Sequence, residues 1–148
     1  MAPETARLAV KQGYTRVFLY AQGLKGWTKM GLPVESAEKI PDIPVDRIPP
    51  AGVKAMLNKD SSVVLLDIRD DGHFNQLKFD VPEVLHIPTI DLLDDMETIP
   101  PDRKIVLACH QGKLSPKIAP LLKSKGYDVV GIMEGGISAW KEMGLPVI

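Results

Sequence analysis

The chain has 148 residues, of which 45% are hydrophobic and 25% are charged, and its formal net charge is −1. This composition is typical of an ordinary globular domain. The net charge excludes the positive surface potential of a nucleic-acid-binding protein. No apolar run in the sequence is long enough to span a membrane. The single cysteine excludes an internal disulfide and a cysteine-rich metal site.

The first residues do not form a secretory signal. The opening stretch MAPETARLAV lacks a basic start followed by an apolar core. We therefore expect a cytoplasmic protein. A periplasmic location is the alternative if a leader has been removed from the sequence.

Residues 6–35 repeat near the end of the chain. Aligned without gaps on residues 119–148, they are identical at twelve of thirty positions. Chance gives about two matches at ordinary residue usage. Two copies of one closing unit predict two domain ends in a single chain.

Each copy predicts three elements in order: a helix that ends at a glycine, a strand, and a second helix that contains a tryptophan. In the first copy the helix ends at Gly13, the strand covers 16–20 and the tryptophan is Trp27. We interpret residues 1–35 as the closing fragment of an upstream domain. Its unpaired strand predicts association through this fragment, for example as a homodimer.

A proline-rich segment follows, and we interpret residues 36–44 as a linker. Residues 45–148 then form one complete domain. Its elements alternate, which favours an α/β fold with a central parallel sheet covered by helices on both faces. They are a helix over 49–58, strands over 61–69, 83–88, 103–108 and 128–133, and helices over 89–96, 115–125 and 136–143.

Cys109 follows the strand that ends at Ala108, on a short loop that leads into a helix. Ser115 and Pro116 are typical of a helix start, with serine as the N-cap and proline in the first helical position. The cysteine is thus predicted at the carboxyl end of a parallel strand, where ligands bind in open α/β sheets. Gly112 allows a turn with positive φ, in which successive amides point toward an anion.

Positive charge is predicted around the thiol. The helix N-terminus contributes partial charge, and His110, Lys113 and Lys117 add to it. Such surroundings lower the pKa of the thiol and make Cys109 a thiolate nucleophile near neutral pH. The alternative is a buried apolar cysteine, but the strand, the glycine loop and the helix start favour the reactive thiol.

Four stretches resemble the rhodanese family of sulfurtransferases. CHQGKLS (109–115) resembles its active-site loop, LLDIRD (65–70) its strand that ends in Asp-x-Arg, and HIP (86–88) its Asn-Ile-Pro. The stretch 126–147 resembles its closing helix–strand–glycine–tryptophan unit. The resemblance covers 45–148, and since the first copy of the repeat resembles the same closing unit, the parent protein resembles a tandem rhodanese.

The resemblance implies a rhodanese-like fold and a sulfurtransferase of the thiosulfate type. Cys109 would take the outer sulfur of a small donor anion such as thiosulfate as a persulfide, and cyanide or a thiol would accept it. Asp67 and Arg69 would support the loop from the neighbouring strand end; the alternative is a surface ion pair. No metal or cofactor is implied besides this covalent intermediate. The residues that would bind the anion are His110, Gln111, Gly112, Lys113, Leu114 and Ser115.

The loop departs from the family in one respect that bears on the substrate. Many members carry arginine at the positions of His110 and Leu114, so the identity of the donor is open. The alternative function is a non-catalytic binding or regulatory module of the same fold. A cysteine phosphatase would need a longer loop with an arginine for the phosphoryl oxygens, and a disulfide oxidoreductase would need a second cysteine.

The histidines and tryptophans predict structure rather than chemistry. His73, His86 and His110 show no metal-ligand spacing, and His110 alone is a candidate to assist the loop. Trp27 and Trp140 lie at helical positions beside apolar residues, which favours a role as core anchors.

Overall fold

The computed structural model describes residues 2–33 and 41–148. The chain divides into two compact units, Met1–Lys39 and Ile40–Ile148. The first part of the predicted linker 36–44 lies outside the described residues. The assignment of the first unit to an upstream domain stays a prediction.

The first unit contains two helices, α1 (Ala2–Lys11) and α2 (Gly23–Lys29). The strand predicted over 16–20 is wrong for this structure, because these residues have no regular secondary structure. Phe18, in the middle of the segment, is 89% exposed. A strand satisfies its backbone N–H and C=O groups only against a neighbouring strand, and local sequence cannot provide one.

The second unit is built on five parallel strands in the order β1-β5-β4-β2-β3. The strands are β1 (Arg47–Ile48), β2 (Val63–Asp67), β3 (Val84–His86), β4 (Lys104–Ala108) and β5 (Asp128–Met133). All of β2 is buried, as are the last four residues of β4. Continuous apolar strands are typical of a parallel sheet that is covered on both faces. The predicted fold class is confirmed.

Helices cover both faces of this sheet. One face packs against α3 and α7 through Val53 and Trp140, and the other packs against α5 and α6 through Leu92 and Leu122. The helices are α3 (Pro50–Lys59), α4 (Asp71–Gln76), α5 (Leu92–Asp95), α6 (Ser115–Ser124) and α7 (Gly136–Glu142), with a 3-10 turn at Met96–Thr98.

Two elements were not predicted from the sequence, β1 and α4. Strand β1 is only two residues long and pairs with β5 at the edge of the sheet, so it leaves no pattern to recognise. Helix α4 begins after Asp70, whose carboxylate accepts a hydrogen bond from the His73 amide. The helix predicted over 89–96 is shorter in the structure, where α5 covers only Leu92–Asp95.

Trp140 is a core anchor, as predicted. It is fully buried, its Nε1 donates to the Pro146 carbonyl at 2.8 Å, and its ring meets Phe79 edge-on with centroids 5.4 Å apart. Its equivalent in the first copy, Trp27, donates in the same way to Pro33 at 2.9 Å but is 37% exposed. The prediction of a core anchor is therefore wrong for Trp27.

This pair of equivalent tryptophans gives a matched test of the core. Trp140→Ala should destabilise the second unit by about 3–5 kcal/mol, because it removes a large buried side chain and leaves a cavity. Trp27→Ala should change the same transition by less than about 0.5 kcal/mol. Urea unfolding of the full chain followed by far-ultraviolet circular dichroism measures both values. Equal losses in the two variants would contradict this account of the core.

Candidate active site

Cys109 lies directly after β4, at the carboxyl end of the strand, as the sequence predicts. The side chain is buried, with 3% of the residue exposed. In the neighbouring strand β2, Asp67 pairs with Ala108, and the Ile68 amide donates to the Ala108 carbonyl at 3.0 Å. The ends of β2 and β4 are thus level, and the residues that follow each of them share one edge of the sheet.

The loop after β4 is held by the beginning of α7. The Ile137 amide donates to the Cys109 carbonyl at 3.0 Å, and the Ser138 amide donates to the His110 carbonyl at 3.1 Å. The Ser138 hydroxyl donates to the same His110 carbonyl at 3.0 Å. These bonds direct the first two carbonyls of the loop toward α7.

Two glycines allow this close approach of loop and helix. Gly112 has φ +71°, and a Cβ there would lie 2.7 Å from the Gly135 nitrogen. Gly136 has φ +60°, and a Cβ there would collide with the Cys109 carbonyl oxygen. Any larger residue would force the loop away from α7 and would also be strained at these φ values.

The groups around the Cys109 sulfur favour its ionised form. Burial raises the pKa of the thiol, but the nearby Ser115 hydroxyl and the amides of Ser115, Leu114 and Gly112, which as donors favour an anionic sulfur, outweigh burial, so the pKa lies below its ordinary value. The largest favourable effects come from these uncharged donors and not from the cationic side chains predicted around the loop.

Ser115 has a different role from the one predicted. It is the first residue of α6 rather than its N-cap, a position that Leu114 occupies without a side-chain bond. The Ser115 side chain is fully buried and faces the Cys109 sulfur closely enough to lower the thiol pKa. No atom of the described residues completes a well-aligned hydrogen bond with this hydroxyl. Leaving a buried hydroxyl unpaired costs about 1–3 kcal/mol. A negative charge on the sulfur would give this hydroxyl an acceptor and recover part of that cost.

The other predicted binding residues lie at the rim of the loop. His110, Gln111 and Lys113 are exposed, and the Leu114 side chain is 37% exposed. Leu114 faces the sulfur through its main-chain amide. Gly112 is buried. Main-chain donors thus lie inside the loop, and the exposed side chains surround its opening.

Asp67 and Arg69 form a buried ion pair, not the surface pair that the sequence left as an alternative. Their side chains are 0% and 2% exposed, and Arg69 Nη2 lies 2.6 Å from Asp67 Oδ2. Arg69 also donates to the His73 carbonyl at 3.0 Å and to the Leu77 carbonyl at 2.8 Å. The pair therefore fixes the path of the chain through α4, beside the end of β4. Direct support of the loop by these two residues remains a prediction.

Sequence reasoning missed Asp70 and His73 as neighbours of the site. The His73 ring lies against that of His110, with centroids 5.0 Å apart and planes tilted by 51°. The spacing Asp70-x-x-His73 is a recognisable helix-capping pattern and was the available signal. Contact with His110 had no local signal, because the two histidines lie in separate elements.

In the ranges 2–33 and 41–148, no group of three or more His, Cys, Asp or Glu side chains is placed to hold a metal ion. No helix in those ranges is long and apolar enough to cross a membrane.

Comparison with known proteins agrees with this geometry. A sulfurtransferase of Allochromatium vinosum is 32% identical over 104 residues, covering 70% of this chain and 95% of that protein. The thiosulfate sulfurtransferase GlpE of Shewanella oneidensis is 33% identical over 81 residues, covering 55% of this chain and 78% of that protein. A rhodanese-related crystal structure from Thermoplasma volcanium shares the fold, with a TM-score of 0.61 at 24% identity over 69% of this chain and 96% of that one. The rhodanese-like domain pattern matches residues 49–143, more than half of the sequence, and the chain therefore belongs to the rhodanese-like domain family.

Proposed function

We propose that this chain is a sulfurtransferase that carries a sulfane sulfur as a persulfide on Cys109. One observation carries the proposal: Cys109 is buried at the carboxyl end of β4, on the glycine loop that leads into α6, and nearby hydrogen-bond donors hold the pKa of its thiol below the ordinary value. Donors arranged in this way stabilise an anionic sulfur, which is the nucleophilic form of cysteine. Relatives that are sulfurtransferases support the same role.

In the first half-reaction the Cys109 thiolate attacks the outer sulfur of a donor. With thiosulfate, a bond forms between Sγ and the outer sulfur while the donor's S–S bond breaks, and its electron pair leaves on sulfite. Cys109 then carries a second sulfur atom with a negative charge. The amides of Gly112, Leu114 and Ser115, which favour the anionic thiol, then stabilise that charge.

In the second half-reaction an acceptor removes the outer sulfur. A nucleophile such as cyanide or a thiolate attacks the terminal sulfur atom, the S–S bond of the persulfide breaks, and Cys109 leaves as a thiolate. The same donors that stabilise the thiolate before the cycle also make it a good leaving group. One set of main-chain amides therefore serves both half-reactions.

Persulfide formation is the direct test of this function. Incubation of the full chain with thiosulfate, followed by intact mass measurement, should add one sulfur atom to the wild-type protein and none to Cys109→Ser, which lacks the nucleophile. Mercaptopyruvate and inorganic polysulfide serve as further donors. No adduct from any of the three would contradict the proposal and favour a non-catalytic module of the same fold.

The lowered pKa of Cys109 predicts an alkylation profile. Iodoacetamide reacts with the thiolate, so its rate plotted against pH should have a midpoint below the value of about 8.5 for a free cysteine. Ser115→Ala should move the midpoint upward, because it removes a donor that favours the charged sulfur while burial is retained.

Ser124→Ala is the matched control for this experiment. It makes the same change in the same helix, but the Ser124 hydroxyl donates to the Leu121 carbonyl at 2.7 Å, away from the sulfur. Its midpoint should equal that of the wild type. A Ser115→Ala midpoint that is unchanged or lower would show that the hydroxyl does not stabilise the thiolate.

The Leu114 side chain predicts weak binding of an anionic donor. Leu114→Arg places a cation at the partly exposed rim and should lower the half-saturating thiosulfate concentration roughly 2- to 5-fold, the range of a solvent-exposed ion pair. The gain should disappear at about 1 M salt, where such pairs are screened. Leu114→Gln, which is polar but uncharged, should show no gain. An equal gain from both variants would point to side-chain size or polarity rather than charge.

A further inference from the structure

Asp70 and His73 form a carboxylate–imidazole pair, called here the Asp70–His73 dyad. Asp70 Oδ1 accepts from the His73 amide at 3.0 Å, and Asp70 Oδ2 lies 2.6 Å from His73 Nδ1. The first bond caps α4 and holds the carboxylate in place, so the second fixes the orientation of the ring. The hydrogen bond with His73 also lowers the pKa of Asp70, which keeps the carboxylate ionised.

This contact determines which ring nitrogen is available. With Nδ1 donating its proton to Asp70, a neutral His73 ring carries its lone pair on Nε2. The carboxylate on Nδ1 also holds the ring in the orientation in which Nε2 can take a proton. The His73 side chain is 53% exposed, so solutes reach it from the solvent. These are the properties of a general base.

The dyad lies at the opening of the Cys109 loop. The His73 ring contacts the ring of His110, the residue that follows Cys109, with centroids 5.0 Å apart. The backbone of His110 is fixed, because its carbonyl accepts from both the amide and the hydroxyl of Ser138. An acceptor that approaches the sulfur past His110 therefore passes close to His73.

Two other titratable side chains near His73, those of Arg69 and His86, have partners of their own. Arg69 donates to the His73 carbonyl, but its charge is paired with Asp67. On β3, His86 has Nε2 2.8 Å from the Arg69 carbonyl and Nδ1 3.9 Å from Asp71, which is 79% exposed. His110 is the titratable side chain in ring contact with His73.

We propose that the Asp70–His73 dyad is the base that deprotonates a thiol acceptor in the second half-reaction. This inference rests on the proposed function. His73 Nε2 takes the proton of the acceptor S–H, and the thiolate attacks the outer sulfur of the Cys109 persulfide. A new S–S bond joins the acceptor to that sulfur, the bond to Cys109 breaks, and its electron pair returns to Cys109. The imidazolium, paired with Asp70, later loses its proton to water.

The experiment separates acceptors that need a base from those that do not. Cys109 in the full chain is loaded with sulfur from inorganic polysulfide, the excess is removed, and loss of the persulfide is followed by rapid quenching and intact mass. Glutathione is the thiol acceptor, and sulfite, which attacks without losing a proton, is the reference acceptor. Loading with polysulfide makes the test independent of the natural donor.

His73→Gln should slow transfer to glutathione at least about tenfold at pH 7, which is less than the roughly 10²- to 10⁴-fold typical of a general base because the site is exposed. Transfer to sulfite should change less than about twofold. Above the thiol pKa of about 8.5 the deficit should shrink, since the acceptor is then already a thiolate.

Two substitutions of aspartate complete the design. Asp70→Asn keeps a side chain that caps helices well but removes the charge on Nδ1, so it should give a smaller deficit with the same dependence on pH and acceptor. Asp71→Asn makes the same change one position later and should behave as the wild type.

Three outcomes would overturn the inference. The first is an undiminished rate with glutathione in His73→Gln. The second is an equal loss with both acceptors at every pH, which would indicate a structural role for the histidine. The third is a Cys109 that takes no sulfur even from polysulfide; this would remove the proposed function as well, whereas the first two leave it standing.

Discussion

The hydrogen bonds from α7 to the loop after β4 are the constraint on which the active site depends. They direct the Cys109 and His110 carbonyls toward Ile137 and Ser138. The later amides of the same loop lie near the sulfur and help to hold the pKa of the thiol below its ordinary value. Each bond contributes only about 1 kcal/mol to stability. Their importance lies in the direction of the amides, since donors that are already oriented stabilise charge without reorganisation.

A second constraint lies beneath the opening of the site. The buried Asp67–Arg69 pair joins the end of β2 to the carbonyls of His73 and Leu77. Because both charges are withdrawn from water, removal of either partner would leave a buried charge and cost about 3–5 kcal/mol. The pair thus holds α4, and with it the His73 ring, beside the loop. Cys109 follows the end of β4, and His73 follows the end of β2. The parallel pairing of β2 and β4 brings these two strand ends to the same edge of the sheet.

Comparison of the two copies of the closing unit shows which structural features depend on neighbouring residues and which depend on distant ones. In both copies the tryptophan Nε1 donates to a proline carbonyl six residues later, at 2.9 Å for Trp27 and 2.8 Å for Trp140. The glycine that follows each helix has nearly the same φ, +69° at Gly31 and +67° at Gly144. The strand segments of the two copies differ. Residues 128–133 form β5, which pairs with β4 and β1, whereas residues 16–20 form no strand. Helix ends are determined by neighbouring residues, and strands require a partner.

The sequence by itself determined the alternation of elements, the parallel sheet and the place of Cys109 in a glycine loop between a strand and a helix. The elements and the loop are local features, because an aliphatic run, a glycine and a Ser-Pro pair act on adjacent residues, and the parallel sheet follows from the alternation of strands and helices. The tertiary structure alone decided that the Ser115 hydroxyl faces the sulfur, that the Asp67–Arg69 pair is buried and that His73 lies against His110. The Ser115 contact depends on the path of the loop, and the burial of the ion pair and the His73–His110 contact depend on how separate segments pack around the sheet. No periodicity in the sequence encodes either of these.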